Sequence, residues 1–196
     1  MRTRNTGKED LVKEKAIELI VKEGFQGFSM NKLAKASGIS VATLYIYYQD
    51  KDDLIRQLGV EIGRSFFEYA LKDFDPDMPF AQGLRQQWDN RIAFAMGNRL
   101  QAACYEVIRH SPHGEHVLEQ SFGTFGETMR QFCHTAIKRG ELVPLTMEVF
   151  WSIAYGPLYN MLRFDAEGKS MGKKPFKFTN DMKEEALKVV IKALTP

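Results

Sequence analysis

Apolar residues recur every three or four positions along most of the chain, and nowhere do apolar and polar residues alternate in strand-like pairs. Val12, Ala16, Leu19 and Ile20 share one face of a first helix predicted over roughly 8–23, which Gly24 ends. Met30, Leu33 and Ala34 predict a second helix over 29–36, and the run Val-Ala-Thr-Leu-Tyr a third over 40–47. Leu54, Leu58, Ile62, Phe66 and Tyr69, spaced mostly by four, predict a long fourth helix that starts at Asp50. Asp75-Pro76-Asp77-Met78-Pro79 breaks the pattern, because proline cannot continue a helix. Further helices are predicted over 79–96, 98–110, 112–139, 146–164 and 178–194, with a Gly- and Lys-rich mobile loop over 165–177. The chain shows no internal repeat, and the fold class is all-α.

The second and third helices are short and joined by a glycine turn. Ser29 can cap the first of them, and Gly38 supplies the positive φ that a sharp turn needs. Ser40 can cap the next, while Asp50 and Asp53 form a capping-box-like pair ahead of Leu54. Two short helices held in this way form a helix-turn-helix, whose second helix enters a DNA major groove.

From about residue 10 to residue 58 the chain resembles the N-terminal domain of the TetR family of bacterial transcriptional regulators. The resemblance is carried by Ala16, Ile20, Gly24-Phe25, Ser29-Met30, Leu33-Ala34, Gly38-Ile39-Ser40, Thr43-Leu44-Tyr45, Tyr47-Tyr48, Lys51 and Leu54. It implies a DNA-binding head over 1–50 and a helical effector-binding and dimerisation body over 51–196, linked by the fourth helix (about 50–73). It also implies that Ser40, Val41, Ala42, Thr43, Tyr45 and Tyr47 meet DNA, with Ser29 and Lys51 as phosphate contacts. Leu44 and Tyr48 read as core. Many family members carry Lys or Arg then Gly before the Thr-Leu-Tyr, where this chain has Val41-Ala42, and Ile46 follows Tyr45. No Arg, Lys or Asn lies between residues 40 and 48, so the side chains that grip guanine or adenine in pairs of hydrogen bonds are missing. Base reading must then lean on Thr43, methyl contacts from Val41 or Ala42, tyrosine hydroxyls, water and DNA shape.

The last two predicted helices read as interface material. Met182, Ala186, Val189, Val190 and Ala193 are assigned to one apolar face of the final helix. The helix before it is apolar nearly all round: Phe150, Ile153, Ala154, Leu158 and Met161 form one side, and Trp151, Tyr155, Tyr159 and Leu162 another. Pro157 should kink it. In the TetR family these helices pair across a two-fold axis, which implies a homodimer. The aromatic and Met positions Trp88, Tyr105, Phe122, Phe125, Met129, Trp151 and Tyr155 read either as plain core or as the lining of a pocket for an apolar or aromatic effector.

The bulk composition narrows the classes further. The 196 residues are 44% hydrophobic and 27% charged, ordinary for a globular protein. No uninterrupted apolar stretch approaches a membrane span, and the N-terminus lacks the apolar core of a signal peptide. Cys104 and Cys133 suit buried, reduced thiols, and a cytoplasmic location is expected. The net charge is +2, but residues 1–51 hold nine Lys or Arg against six Asp or Glu, a +3 excess that suits phosphate contact only because it coincides with the motif.

Two alternatives compete with a DNA-binding repressor released by an effector from an inverted-repeat operator. One is a metal-dependent enzyme using His110, His113 and His116, which lie near Cys104 and Glu106. Pro112 and Gly114 interrupt the helix that would align these histidines, and there is no nucleophile–base pattern, phosphate loop or paired metal motif. No resident metal or cofactor is expected. The other is a non-specific architectural DNA binder, for which a more basic chain would be expected.

Overall fold

The computed structural model describes residues 6–196, so Arg2 and Arg4 of the basic excess lie outside the described residues. Ten helices follow in order: α1 (Thr6–Gly27), α2 (Met30–Ser37), α3 (Val41–Tyr47), α4 (Lys51–Ala70), α5 (Phe80–Gly97), α6 (Arg99–Arg109), α7 (Gly114–Ser121), α8 (Phe125–Lys138), α9 (Met147–Glu167) and α10 (Asn180–Leu194). Among the described residues the one β-type pairing outside them is a single antiparallel bridge, Lys169 to Pro175. The fold is all-α, as the periodicity requires.

The chain forms two compact units, and neither is continuous in sequence. One holds the chain up to Phe67 together with Asn98–Gly123; the other holds Glu68–Gly97 and Thr124–Pro196. The expected boundary at residue 50 is therefore not a boundary between compact units. The helices up to α3 share their unit with most of α4 and with α6 and α7.

In the first unit Val12, Ala16, Ile17 and Ile20 of α1 turn inward, and α1 packs against α2 and α6. Leu54, Ile55, Leu58 and Ile62 of α4 are buried with them. The expected stripe along α4 fails at its far end: Tyr69 is 37% exposed, whereas Phe67 and Ala70 are buried. Tyr69 lies seven residues from Ile62 and so within about 20° of it round the helix, but from Glu68 onward the chain belongs to the second unit, in which Ala70 is the buried position. Two glycines of α4 permit close approach. A Cβ on Gly59 would sit 2.8 Å from Val117 Cγ2, and one on Gly63 would sit 2.6 Å from Ser121 Oγ. At these two points α4 meets α7 almost backbone to side chain.

The second unit is built on α5, α8, α9 and α10. Phe80, Leu84, Trp88, Phe94, Phe125, Phe132, Phe150, Tyr155, Leu158, Leu187 and Leu194 are buried in it. Gln87 Nε2 and Asn90 Nδ2 donate to the carbonyl of Ala70 at 2.8 and 3.0 Å, which satisfies an acceptor at the C-terminal end of α4.

Three expectations need correction. The helix predicted over 112–139 is two helices, α7 and α8, separated where Gly123 takes φ 49°. The segment 165–177 is partly ordered: α9 continues to Glu167, Gly168 closes it, and Phe178 N donates to Asp165 Oδ1 at 2.9 Å. The presumed single face of α10 is two faces. Leu187, Val190 and Leu194 point into the unit, while Met182, Val189 and Ala193 are exposed and Ala186 is half-buried. Val190 therefore belongs to the core, and so do Phe150 and Leu158 of α9, at 2% and 0% exposure.

Gly63→Val should lower stability by about 1–3 kcal/mol through overpacking against Ser121, read as a lower urea midpoint; an unchanged midpoint would contradict the α4–α7 packing. Burial pushes the Cys104 thiol up to about 12 and the Cys133 thiol up to about 11. Neither should react with a thiol reagent at pH 8 in the native protein, and both should react once it is denatured.

Candidate nucleic-acid interface

Each end of α2 and α3 is closed by local hydrogen bonds that the sequence encodes. Ser29 Oγ accepts from Lys32 N at 3.3 Å, and Gly38, at φ 65° and ψ 29°, ends α2. Ile39 N reaches Ala34 O at 3.1 Å and Gly38 N reaches Lys35 O at 3.4 Å, so two last-turn carbonyls are satisfied. Ser40 Oγ then accepts from Thr43 N at 3.1 Å and lies 2.8 Å from Thr43 Oγ1. Asp50 Oδ1 accepts from Asp53 N at 2.7 Å, while Asp53 Oδ2 accepts from Gln49 N at 2.9 Å. That is the expected reciprocal cap, with the return bond shifted one residue toward the N-terminus.

Leu44 and Tyr48, at 0% and 4% exposure, pin α3 to the unit. Ser40, Ala42, Tyr45 and Ile46 face outward, and Val41, Thr43 and Tyr47 are half-buried. Of the outward side chains Ile46 is 69% exposed and Tyr45 53%. Lys51 behaves differently from a free phosphate contact: its Nζ donates to Phe25 O at 2.6 Å and lies 5.8 Å from the Phe28 ring centre. Lys32 Nζ likewise donates to Gly27 O at 2.8 Å and pairs with Glu23. Both ammonium groups thus meet carbonyls just past Gly24, whose non-helical backbone (φ 64°, ψ −177°) breaks α1 where the sequence predicts its end. The hydrogen bond from Lys32 holds the Glu23 carboxyl below its ordinary range.

Residues 12–58, spanning this whole arrangement, match the model of the family described as bacterial regulatory proteins, tetR family. Residues 12–58 carry the DNA-binding domain of the TetR family. An HTH-type transcriptional regulator of Haemophilus influenzae is 28% identical over 143 residues, covering 73% of this chain and 75% of that protein. A TetR-family regulator from Marinobacter aquaeolei VT8 superposes with a TM-score of 0.79 at 22% identity, covering 100% of this chain and 99% of that one. FadR of Bacillus subtilis, solved in complex with stearoyl-CoA, superposes with a TM-score of 0.73 at 15% identity over 95% and 99% of the two chains. The structural likenesses establish the fold, while the family match and the HTH-type relative point to a transcriptional regulator.

The aromatic positions weighed as a pocket do not all fall in one unit of this chain. Tyr105 and Phe122 lie in the first unit, where they pack on Phe66 at 5.9 Å and Phe67 at 5.2 Å between ring centres. Trp88, Phe125, Met129, Trp151 and Tyr155 lie in the second. There Trp88 Nε1 donates to Ala154 O at 2.8 Å. Beside them sits a residue whose role the sequence did not announce. Arg91, 1% exposed, places its guanidinium 4.1 Å from the Tyr155 ring centre, 5.5 Å from that of Trp151 and 5.6 Å from that of Phe125. Its Nε donates to the Tyr159 hydroxyl at 3.0 Å and its Nη1 to Gln87 O at 3.0 Å. The buried Tyr155 hydroxyl has no hydrogen-bond partner among the described residues, and burial pushes this phenol well above its ordinary value. A separate open hollow of about 390 Å³ is lined by Arg85, Glu184, Glu185, Lys188 and Ile191, so it is a charged groove rather than an aromatic cavity.

The three histidines do not converge. His110 Nδ1 donates to Glu106 O at 2.8 Å, while His113 Nε2 lies 3.4 Å from Asp52 Oδ1 and its ring meets Phe25 edge-on. His116 is exposed on α7. Among the described residues no three His, Cys, Asp or Glu side chains come together as a metal site.

Gly38→Ala should cost about 1–2 kcal/mol, because an L side chain is strained in the left-handed region. Thermal or urea unfolding checks this, and a neutral result would mean that the turn relaxes into another conformation.

Proposed function

We propose that this regulator is a homodimeric repressor that holds an inverted-repeat operator through two copies of α3 and leaves it when a small effector binds the second unit. The carrying observation is the outward face of α3, a capped helix anchored by Leu44 and Tyr48 whose large side chains Tyr45 and Ile46 are turned outward, 53% and 69% exposed. The contacts proposed for DNA are Ser40, Val41, Ala42, Thr43, Tyr45 and Tyr47, with Ser29 and Lys51 on phosphates. Lys51 keeps two further N–H donors beyond the one it gives to Phe25 O. In a dimer the two recognition helices meet half-sites about one DNA turn apart, or a multiple of it.

The apolar positions left outward on α10, Met182, Ala186, Val189 and Ala193, form a stripe at helical spacing, and Ile153 and Met161 of α9 are half-buried. A second copy of the chain is the proposed cover. The effector reading rests on Trp88, Phe125, Met129, Trp151 and Tyr155 of the second unit, and the ligand-bound state of FadR is consistent with it. Buried Arg91 adds one cation to what is otherwise an apolar and aromatic lining. For release, the effector must bind the form that does not fit the operator more tightly than the form that does, and operator must weaken effector binding by the same factor.

Tyr47→Ala and Lys51→Ala should each weaken operator binding while leaving a folded protein, with Lys51→Ala acting alike on all sequences and lowering the salt slope by roughly 0.9. Gel-shift titrations at several salt concentrations decide it; wild-type binding by both variants would overturn the assignment of α3. Because Val189 is 63% exposed in the single chain, Val189→Asp should spare the fold yet break the dimer at a cost on the order of 3 kcal/mol for an unpaired buried charge. Sedimentation of a folded wild-type monomer at micromolar concentration would reject the dimer.

A further inference from the structure

We propose that Ile46, together with Tyr45 and Ala42, reads thymine C5-methyl groups in the operator's major groove. This inference rests on the DNA-binding role given to α3. Its basis is the chemistry of the exposed face rather than the motif. Ile46 is the most exposed large side chain of the helix at 69%, Tyr45 follows at 53%, and both lie away from the buried Leu44 and Tyr48. The polar side chains nearby are already engaged with each other. Ser40 Oγ and Thr43 Oγ1 are 2.8 Å apart, and Ser40 Oγ also accepts from Thr43 N at 3.1 Å. No Arg, Lys, Asn or Gln occurs from residue 40 to residue 48, so no side chain there can make the paired hydrogen bonds that pick out guanine or adenine.

An apolar surface held against the major groove has one base-specific feature to recognise. Among the four bases only thymine presents a methyl group there. A β-branched aliphatic side chain buries that methyl, while a cytosine or purine edge in the same place would lose its hydration without a partner. The occupant of this face is therefore DNA with thymines at the contacted steps, not a second copy of the chain. The earlier expectation gave methyl contact to Val41 or Ala42; half-buried Val41 is less available than Ile46.

The test begins with selection of an operator from random duplexes by the wild-type protein. Each thymine is then replaced singly by deoxyuridine, which keeps base pairing and removes only the methyl. The expected result is a loss of about fourfold in affinity at one or two thymines of each half-site, the factor for withdrawing one methyl-sized apolar contact. Other thymines should show no effect. Ile46→Ala should weaken the unmodified operator by a similar factor and make deoxyuridine silent at its contacted position. Circular dichroism should show the variant folded, since the side chain is mostly exposed. Uniform affinity across the deoxyuridine scan, with the unmodified operator still bound selectively, would overturn methyl reading and leave the DNA-binding role standing. A change in oligomeric state on Ile46→Ala would overturn it in favour of a protein contact. Failure of the selection to yield any sequence-selective binding would remove both readings.

Discussion

A helix of two turns has too few internal hydrogen bonds to hold its own orientation in water. The seven-residue α3 is therefore only as well placed as its ends and its buried side allow. Ser40 closes its N-terminus through the Thr43 amide, Tyr48 N returns to Leu44 O at 3.0 Å, and Leu44 is fully buried. The left-handed Gly38 sets the angle at which the chain enters, and the Asp50–Asp53 cap sets the angle at which it leaves. With backbone ends and inner face fixed, the outward side chains need not contribute to folding. Their identities are then free to be set by what they touch.

The same reasoning explains why this part of the molecule was legible in the sequence. Caps and tight turns are local: Ser29, Gly38, Ser40, Asp50 and Asp53 each act within about four residues of themselves. Helix existence was legible too, because 3.6-residue periodicity is a property of the chain alone. The errors arose where the outcome depends on distant packing. Four-residue spacing extends the inner face of α4 to Tyr69, but from Glu68 onward the chain belongs to the second unit, where Ala70 is buried and Tyr69 is not. On α10 the stripes Met182–Ala186–Val189–Ala193 and Leu187–Val190–Leu194 are adjacent, and only packing shows that the second, with Val190, is the covered one. The split between α7 and α8 follows from the conformation of Gly123, which a stripe of Phe122, Phe125, Met129 and Phe132 disguised.

Arg91 was the least legible of all. An arginine within a helix reads as a solvated surface residue, and its burial needs acceptors and rings supplied from elsewhere in the second unit. The Tyr159 hydroxyl comes from α9, the Gln87 carbonyl from the preceding turn of α5, and three aromatic faces from α8 and α9. The Tyr159 hydroxyl and the three rings are not near Arg91 in a pattern that periodicity detects. Lys51 is the mirror case. Its expected role faces outward to phosphate, yet its ammonium also donates to Phe25 O. An ammonium group hydrogen-bonded to a backbone carbonyl is held in a defined place, so any phosphate it meets is met by an ordered donor rather than by a freely rotating one.

The extent of the first unit bears on how an effector could act. Because α6 and α7 belong with α1, α2, α3 and most of α4, α3 is part of a unit larger than a three-helix head. Gly59 and Gly63 bring α4 against Val117 and Ser121 of α7 so closely that no Cβ fits, and Lys13 Nζ of α1 pairs with Glu61 of α4 at 2.7 Å. Close-packed contacts of this kind resist shear and move together. A force applied to α4 would therefore displace α3 with its whole unit, leaving the caps and the outward face of α3 unaltered. On this view an effector would not unmake the surface that meets DNA. It would change where two intact surfaces stand relative to each other, and a rigid duplex admits only half-site spacings that match its helical repeat. Packing that makes the recognition helix precise would then also make a dimeric regulator sensitive to small displacements of α4.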